Sequence, residues 1–525
     1  MTHPSAKQPR HEIVEAPILP SVLAFLLPVL FLIYLTPAAH YFLIDPDGGT
    51  FLQGALQILH VGEHPQLNFL SSYGPLSYEI RALLIAALGD RTATEVIYAA
   101  LGYAAAYYLM YRFALRMSGS QICAFAVLII ALLCIPRYYK NFTVLVPAAT
   151  IIVTAWHIRS ASKPSAFCVG LSVAVATLFR HDYGAYSFLA ATLAACLMLK
   201  ENRISIRDQV FWFALGAAML AVPWGVLLTA YGTLGEYLMT VTAGSASIAE
   251  GLSLPHPLLH WSGAASAIYL GWYMLPVLSA MALATSRGVL PGAEFKVGVV
   301  TTSLAALCLL QSAHRADIGH LLQGGAPSLL LLSVLWRCAV AHRPARPLAA
   351  LGALVSVAFT LLLLANFQHF QRHTVAGIVQ NLQDAWLPKA ALLERITASG
   401  AAPSHATLAN YIASCLRADE RVQVFPYFPM ITYFSDRVAG GGTHGVGPGY
   451  FSSEAFQRSI VASFERDRTP LILWLESFAY DGLPERNPVD THRLVHDYVN
   501  ENFRTAGQFE GFTVYLRRDD PRNCG

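Results

Sequence analysis

Between residues 18 and 366 the chain keeps returning to apolar runs, several of them roughly 17–25 residues long, the length a helix needs to cross a bilayer. Inside lipid every backbone N–H and C=O must find a partner within the protein, so such runs have to be helices. Charge is correspondingly scarce: 13% of the 525 residues are charged, against about 25% in a soluble protein, and the deficit is concentrated in the first 370. The runs predict about eleven transmembrane helices, near 18–38, 93–114, 120–136, 142–158, 166–180, 183–199, 209–229, 262–284, 293–311, 320–340 and 347–366. The pair meeting at residue 181 is short enough to be merged or re-entrant. The chain reads as a polytopic α-helical membrane protein.

The first apolar run exceeds the about 7–15 residues of a signal peptide and has no clear small-x-small site after it, so an uncleaved first span is expected. Lys and Arg set the orientation. Alternate loops, "YRFALRMSGSQ", "HIRSASKPS", "KENRISIRDQ", "SRGVLPGAEFK" and "RCAVAHRPARP", together with Lys7 and Arg10, make one basic, cytoplasmic set. That puts residues 1–17 in the cytoplasm and the C-terminus outside. The opposite loops carry cations mixed with aromatics, Asp and His. After residue 370 the composition changes. "VQNLQDAWLPKAALLERITASG" reads as an amphipathic linker helix. Strand-like runs "VQVFPYF", "PLILWLES" and "FTVYLRR" follow, with helices at about 453–466 and 489–503. The expected domains are thus a membrane domain, 18–369, with a large outer loop at 39–92, and a small extracytoplasmic α/β domain, 370–525.

A net charge of +3 gives no argument for nucleic acid. The eight cysteines include no C-x-x-C pair and no zinc spacing. Six sit in or beside apolar runs. Cys415 and Cys524 lie in the C-terminal region, where a disulfide between them is one option.

The outer loops carry the chemistry. "IDPDGGTFLQGALQILHVGEHPQLNFLSSYGPLSYE" (44–79) follows the first span with Asp45 and Asp47, then a short amphipathic helix expected to lie on the membrane with Phe51, Leu52, Leu56 and Leu59 as its apolar side. An acid at the start of such a helix faces a partly desolvated groove. There it could act as a general base on a hydroxyl, although a plain loop charge would look the same. "RYYKN" offers Arg137 and Lys140, suited to phosphate oxygens or, equally, to membrane-interface snorkelling. "FRHDYG" puts Arg180, His181 and Asp182 in a short turn where charge is costly, and an Arg180–Asp182 pair is the structural alternative. "QSAHRADIGH" places His314, Arg315, Asp317 and His320 together. Anion binding, loop structure or a divalent metal would each fit. "AGGGTHGVGPG" (439–449) lacks the Gly-Lys-Ser/Thr of a phosphate loop. It reads as a flexible loop, with His444 as a weak substrate-contact candidate.

Taken together, the pattern resembles the GT-C class of membrane glycosyltransferases, which includes lipid A aminoarabinose transferases and protein O-mannosyltransferases. The match runs through Asp47, Phe51, Gly62 and "YGPLSYE" with Pro75, Leu76 and Tyr78. It departs where the family's second acid is Gly48 and where Pro-Pro-Leu is Gly-Pro-Leu. The resemblance implies a GT-C fold with interfacial helices in the first outer loop. It implies transfer of a sugar from a polyprenyl-phosphate donor to an envelope glycan, lipid (lipopolysaccharide among them) or protein on the outer face of the cytoplasmic membrane. Asp47 takes the place of the catalytic acid, with Asp45 as alternate. Arg137, Lys140, Arg180, His181 and Arg315 are the donor-phosphate candidates. Tyr73, Tyr78, Asp182, His314, Asp317 and His320 are further substrate-binding candidates. A base opposite a phosphate leaving group implies inversion at the anomeric carbon, and such a leaving group makes a metal optional. The rival classes are a transporter or lipid-glycan flippase, a polysaccharide polymerase or ligase, and an inactive scaffold.

Overall fold

The computed structural model describes residues 18–135, 137–199, 204–367, 374–522 and 524. The expected cytoplasmic segment 1–17, residues 200–203 of the third basic loop and the domain boundary at 369–370 lie outside them.

Helical structure falls within each of the eleven expected segments, but the one near 320–340 is broken into Ile318–Gly325, a 3-10 turn at Ala326–Leu330 and Leu331–Ala341. Among the described residues six stretches are long and apolar enough to cross a membrane by length and composition: Phe142–Ser160, Ile206–Ala230, Ala264–Thr285, Gly292–His314, Ile318–Ala341 and Arg343–Asn366. Ile18–Tyr34, Gln121–Leu133 and Lys163–Phe179 are apolar but shorter. At residue 181 there are two helices. Arg180 is extended (φ −165°, ψ 122°) between Lys163–Phe179 and His181–Met198. Helix packing uses small residues, as expected where lipid removes the usual hydrophobic drive. A Cβ on Gly170 would stand 1.9 Å from the Phe213 carbonyl oxygen, and one on Gly216 2.0 Å from that of Phe167. The opposite face of Ile206–Ala230 is bare apolar surface, with Val210, Phe211, Val222 and Val226 exposed.

The first outer loop folds as Tyr41–Ile44, Pro46–Val61 and Leu76–Leu88. The middle helix does not lie open on a membrane. Residues 48–57 are all buried in protein, Phe51, Leu52 and Leu56 among them, and only Leu59 of the expected apolar side is exposed. The cause is its glycines. A Cβ on Gly49 would come within 2.7 Å of the Met430 backbone nitrogen, and one on Gly54 within 2.4 Å of the Tyr78 ring. Pro429–Phe434 of the C-terminal domain therefore docks directly on this helix.

The C-terminal domain carries five strands: β1 (Arg421–Phe425), β2 (Val438–Ala439), β3 (Leu471–Trp474), β4 (Phe503–Phe509) and β5 (Phe512–Arg517). Their order is β2-β1-β3-β5-β4, parallel on either side of β1 and antiparallel from β3 onward. The expected linker helix is two, Val375–Ala385 and Lys389–Ser399, parted at Pro388, which lacks the N–H to continue a helix. β2 and β4 were not expected. β2 is two residues long, and "FRTAGQF" lacks the β-branched density of a strand signal. Cys415 and Cys524 form a disulfide.

One polar knot ties the outer loop to the helices. Arg81 is 1% exposed and grips Glu95, itself 3% exposed, in a two-pronged pair with both contacts at 2.7 Å. Its remaining donors reach the Ser77 carbonyl (2.6 Å) and the Tyr139 carbonyl (2.8 Å). The guanidinium also sits over the Phe51 and Tyr98 rings, 4.4 and 4.1 Å from their centroids. Arg81→Met would leave Glu95 buried without a partner, at a cost of about 3–5 kcal/mol. Thermal unfolding in detergent should show a large drop for Arg81→Met and partial recovery for Arg81→Met/Glu95→Leu, which removes both charges.

Candidate functional site

Pro46 occupies the first turn of its helix, where a missing N–H costs nothing, and so starts the helix immediately after Asp45. Asp47 falls in that first turn, and four groups converge on it. Its Oδ2 accepts from Arg137 Nη1 (2.6 Å), Tyr139 Oη (2.7 Å) and Lys140 Nζ (3.2 Å). Its Oδ1 accepts from Tyr427 Oη (3.1 Å), which also meets Thr50 Oγ1 at 2.6 Å.

The two aspartates are driven apart electrically. Burial pushes the Asp47 carboxyl up, but Lys140, Arg137 and Tyr139 outweigh it and hold the group well below the usual carboxylate range. Asp45 is raised to about 7, first by burial and then by the charge of Asp47, against weaker pulls from Arg137 and Lys140. Lys140, 2% exposed, is pushed down by burial, with Asp47 opposing. Gly48 makes room for this arrangement, since a Cβ there would lie 2.8 Å from Asp45 Oδ2.

Both aspartates line a cavity of 590 Å³ between the membrane helices and the C-terminal domain. Arg137, Lys140, Arg180, Arg315, Tyr73, Tyr78, His320 and His444 share its wall. Every cation among them sits at or beside a helix end. Arg137 and Lys140 lie between helices ending at Leu133 and starting at Phe142. Arg180 and Arg315 are the residues that follow Phe179 and His314. Arg180 pairs with Asp182 (2.9 Å) and stands 5.8 Å from the centre of the Tyr73 ring. Tyr78 Oη meets Ser71 Oγ at 2.8 Å. His320 Nδ1 meets Asp317 Oδ2 at 2.7 Å. His444 is held on Gln57 Oε1 (2.9 Å), and burial lowers it to about 3.

Four expected residues do not line the cavity. His181 faces Ser245 Oγ at 3.3 Å. Asp182 is taken up by Arg180 and the Tyr183 N–H, His314 offers its carbonyl to Leu254 N, and Asp317 backs His320 from behind. Among the described residues no group of three or more His, Cys, Asp or Glu comes together as a metal-ligand set. The Asp317–His320 contact is an internal hydrogen bond at the start of Ile318–Gly325.

Several wall residues escaped the sequence reading: Tyr139, and from the C-terminal domain Tyr427, Tyr450, Tyr480 and Asp481. Asp481 receives both arms of Arg315 (2.8 and 3.2 Å) and also Arg486, closing the cavity from the domain side. Tyr139 stood inside a cluster already singled out. Tyr427 lies 380 residues from Asp47, and its only local sign is its place in "FPYFP".

No protein-family model matches the chain, and no curated protein sequence does. Its structure is similar to that of ArnT from Cupriavidus metallidurans bound to undecaprenyl phosphate. The TM-score is 0.54 at 11% sequence identity, over 96% of this chain and 100% of that one. The fold is that of a GT-C glycosyltransferase. The same protein in the apo state gives 0.45 at 13% identity, over 94% and 97% of the two chains. At these identities the likeness to ArnT is one of fold, and the residues of the cavity are this chain's own.

The charge split has a consequence for stability. Asp45 binds its proton more tightly folded than unfolded, so its contribution is complete below its ordinary value near 3.8 and is lost as pH climbs through about 7. Melting temperatures of the wild type should fall between pH 5 and about 8. Asp45→Asn, which cannot ionise, should flatten that slope and melt higher than wild type at the alkaline end.

Proposed function

We propose that this chain is a multi-pass membrane glycosyltransferase that moves a sugar from a polyprenyl-phosphate donor to an acceptor in the cell envelope. The observation that carries the reading is the convergence of Arg137, Lys140, Arg180 and Arg315 with two unlike aspartates on one cavity, in a GT-C fold. A neighbour of that fold, ArnT, was solved with undecaprenyl phosphate, which supports a lipid phosphate as the leaving group here. The chain would cross the cytoplasmic membrane about eleven times, N-terminus inside, with the cavity and the C-terminal domain outside.

In the reaction the acceptor hydroxyl oxygen attacks the anomeric carbon while the bond from that carbon to the phosphate oxygen breaks. The bonding electrons leave with the polyprenyl phosphate, whose growing charge is met by preset cations. The hydroxyl proton goes to a carboxylate on the opposite face, and the anomeric configuration inverts. The sequence preferred Asp47 for that role. The geometry supports Asp45 instead, because an effective base has its pKa near working pH and Asp47 is fully occupied by donors. Asp47 then acts as the counter-ion that keeps Arg137 and Lys140 aimed into the cavity until a phosphate takes its place. No metal is needed for this displacement. A transporter would instead spread its charges along the span centres, whereas these lie at helix ends.

Asp45→Asn should lower kcat by about 10²–10⁴-fold in membranes and abolish the fall of kcat/KM below pH about 7 expected of the wild type. Asp47→Asn should act mainly on the KM for donor lipid. An acid limb that survives in Asp45→Asn, with the rate lost in Asp47→Asn at unchanged KM, would return the base to Asp47. Full activity in both would sink the mechanism.

A further inference from the structure

A second cavity, of 340 Å³, adjoins the first. Leu70 and Ser71 belong to the walls of both. This wall is fixed by Leu70 N–H donating to the Gly442 carbonyl at 2.7 Å, which ties the first outer loop to the C-terminal domain. Its volume lies in the range of about 300–1,000 Å³ usual for small-molecule sites.

The chemistry of the two cavities differs sharply. The first is lined with cations. The second is lined by neutral hydroxyls and amides (Asn68, Ser459, Ser463), by Tyr231 and Tyr237, and by the carboxylates of Glu63 and Glu236. Among the described residues its one wall cation, Arg466, pairs with Asp467 at 2.9 Å. Arg421 is likewise spent on Glu63, at 2.7 Å. Among the described residues a phosphate or carboxylate ligand would find no unpaired wall cation, and it would meet the carboxylate of Glu236. A polyol would find acceptors and donors for its hydroxyls and a half-exposed Tyr231 ring for its C–H face. The wall segment is also irregular. The helix from Leu234 changes to a π-turn at Thr240–Gly244, and Thr240 itself faces the cavity, an interruption frequent at functional sites.

We propose that this annex binds sugar units of an uncharged glycan and that this glycan is the acceptor. The second half of the statement rests on the transferase reading above. The reactive end of the acceptor would then reach over Leu70–Ser71 into the cationic cavity, while the sugars behind it lie in the annex. On this reading the acceptor is a neutral carbohydrate chain, and a phosphate-bearing glycolipid headgroup is disfavoured.

The test uses the full-length protein in nanodiscs on an array of short gluco- and manno-oligosaccharides beside phosphorylated and uronic-acid ones. Neutral glycans should be retained in preference. Ser459→Trp, which fills the annex, should weaken retention by about tenfold or more, and Glu236→Gln, which adds no bulk, should weaken it as well. Melting temperatures show whether either variant is unfolded, and Glu236→Gln alone decides the matter if Ser459→Trp is. Preference for the charged glycans, no glycan retained, or neutral binding unchanged in folded variants would overturn the proposal. Glycan binding with the expected variant effects, but no sugar released from donor lipid, would instead count against the transferase reading and leave the annex standing.

Discussion

The cavity depends on a buried ion pair that never touches it. Arg81 and Glu95 are all but sealed from solvent, and each would be prohibitively costly alone. Together they leave Arg81 with two further donors, one of which holds the Tyr139 carbonyl. Tyr103 holds the Arg137 carbonyl in the same way, at 2.8 Å. With its backbone pinned at both places, the segment 137–140 presents Arg137, Tyr139 and Lys140 to a single carboxylate oxygen of Asp47. A non-helical backbone is tolerable at this depth only because protein groups satisfy it. The guanidinium stacked over Phe51 carries the same constraint into the helix that bears Asp47.

Two aspartates one residue apart thereby acquire opposite characters. Nothing intrinsic distinguishes them, and the difference lies in how many cationic and hydroxyl donors each can reach. Asp47 points into a fan of four donors and stays charged. Asp45, at the junction before the helix, meets mostly burial and the field of Asp47. One site thus holds a permanent anion beside an acid that titrates in the physiological range, a combination that separates organising cations from moving a proton. Gly48 is part of the device, because any side chain there would press on Asp45 Oδ2.

The helical segments were readable because apolar run length reports directly on the solvent a segment must meet. The helix boundaries at Phe142 and Ala264 fall within a few residues of those expected for the same reason. The outer helix Pro46–Val61 was harder. Its apolar positions were visible, but period alone cannot say whether the covering material is lipid or protein, and the two glycines that admit Met430 and Tyr78, Gly49 and Gly54, are silent until their partners are known. The cation cluster of the cavity was legible as separate short motifs. Residues such as His181 and His314 were grouped with it because they are neighbours in sequence, yet they do not line the cavity, since adjacent positions at a helix terminus point in different directions. Arg81 has no sequence signal of its own, and Tyr427 and Asp481 were out of reach because their partners lie far away along the chain.

That last class of residue explains why the C-terminal domain belongs to the site. Without it Asp47 loses Tyr427, Arg315 loses both contacts to Asp481, and the first outer helix loses the cover over Gly49. Each of these contacts joins the first turn or the end of a helix to a segment that follows a strand of the sheet, a loop at Tyr427 and Asp481 and the helix Pro429–Phe434 at Met430. The domain therefore supplies wall, hydrogen bonds and dielectric together. A cavity closed on one side by membrane helices and on the other by Tyr427, Tyr450 and Tyr480 is drier than an open loop surface, and in such surroundings its cations act more strongly on any charge brought near them. The same domain forms one wall of the neighbouring annex through Ser459 and Ser463. Its placement thus sets a cation-lined compartment against a hydroxyl- and carboxylate-lined one across a two-residue partition, so that neighbouring cavities of unlike chemistry share one wall.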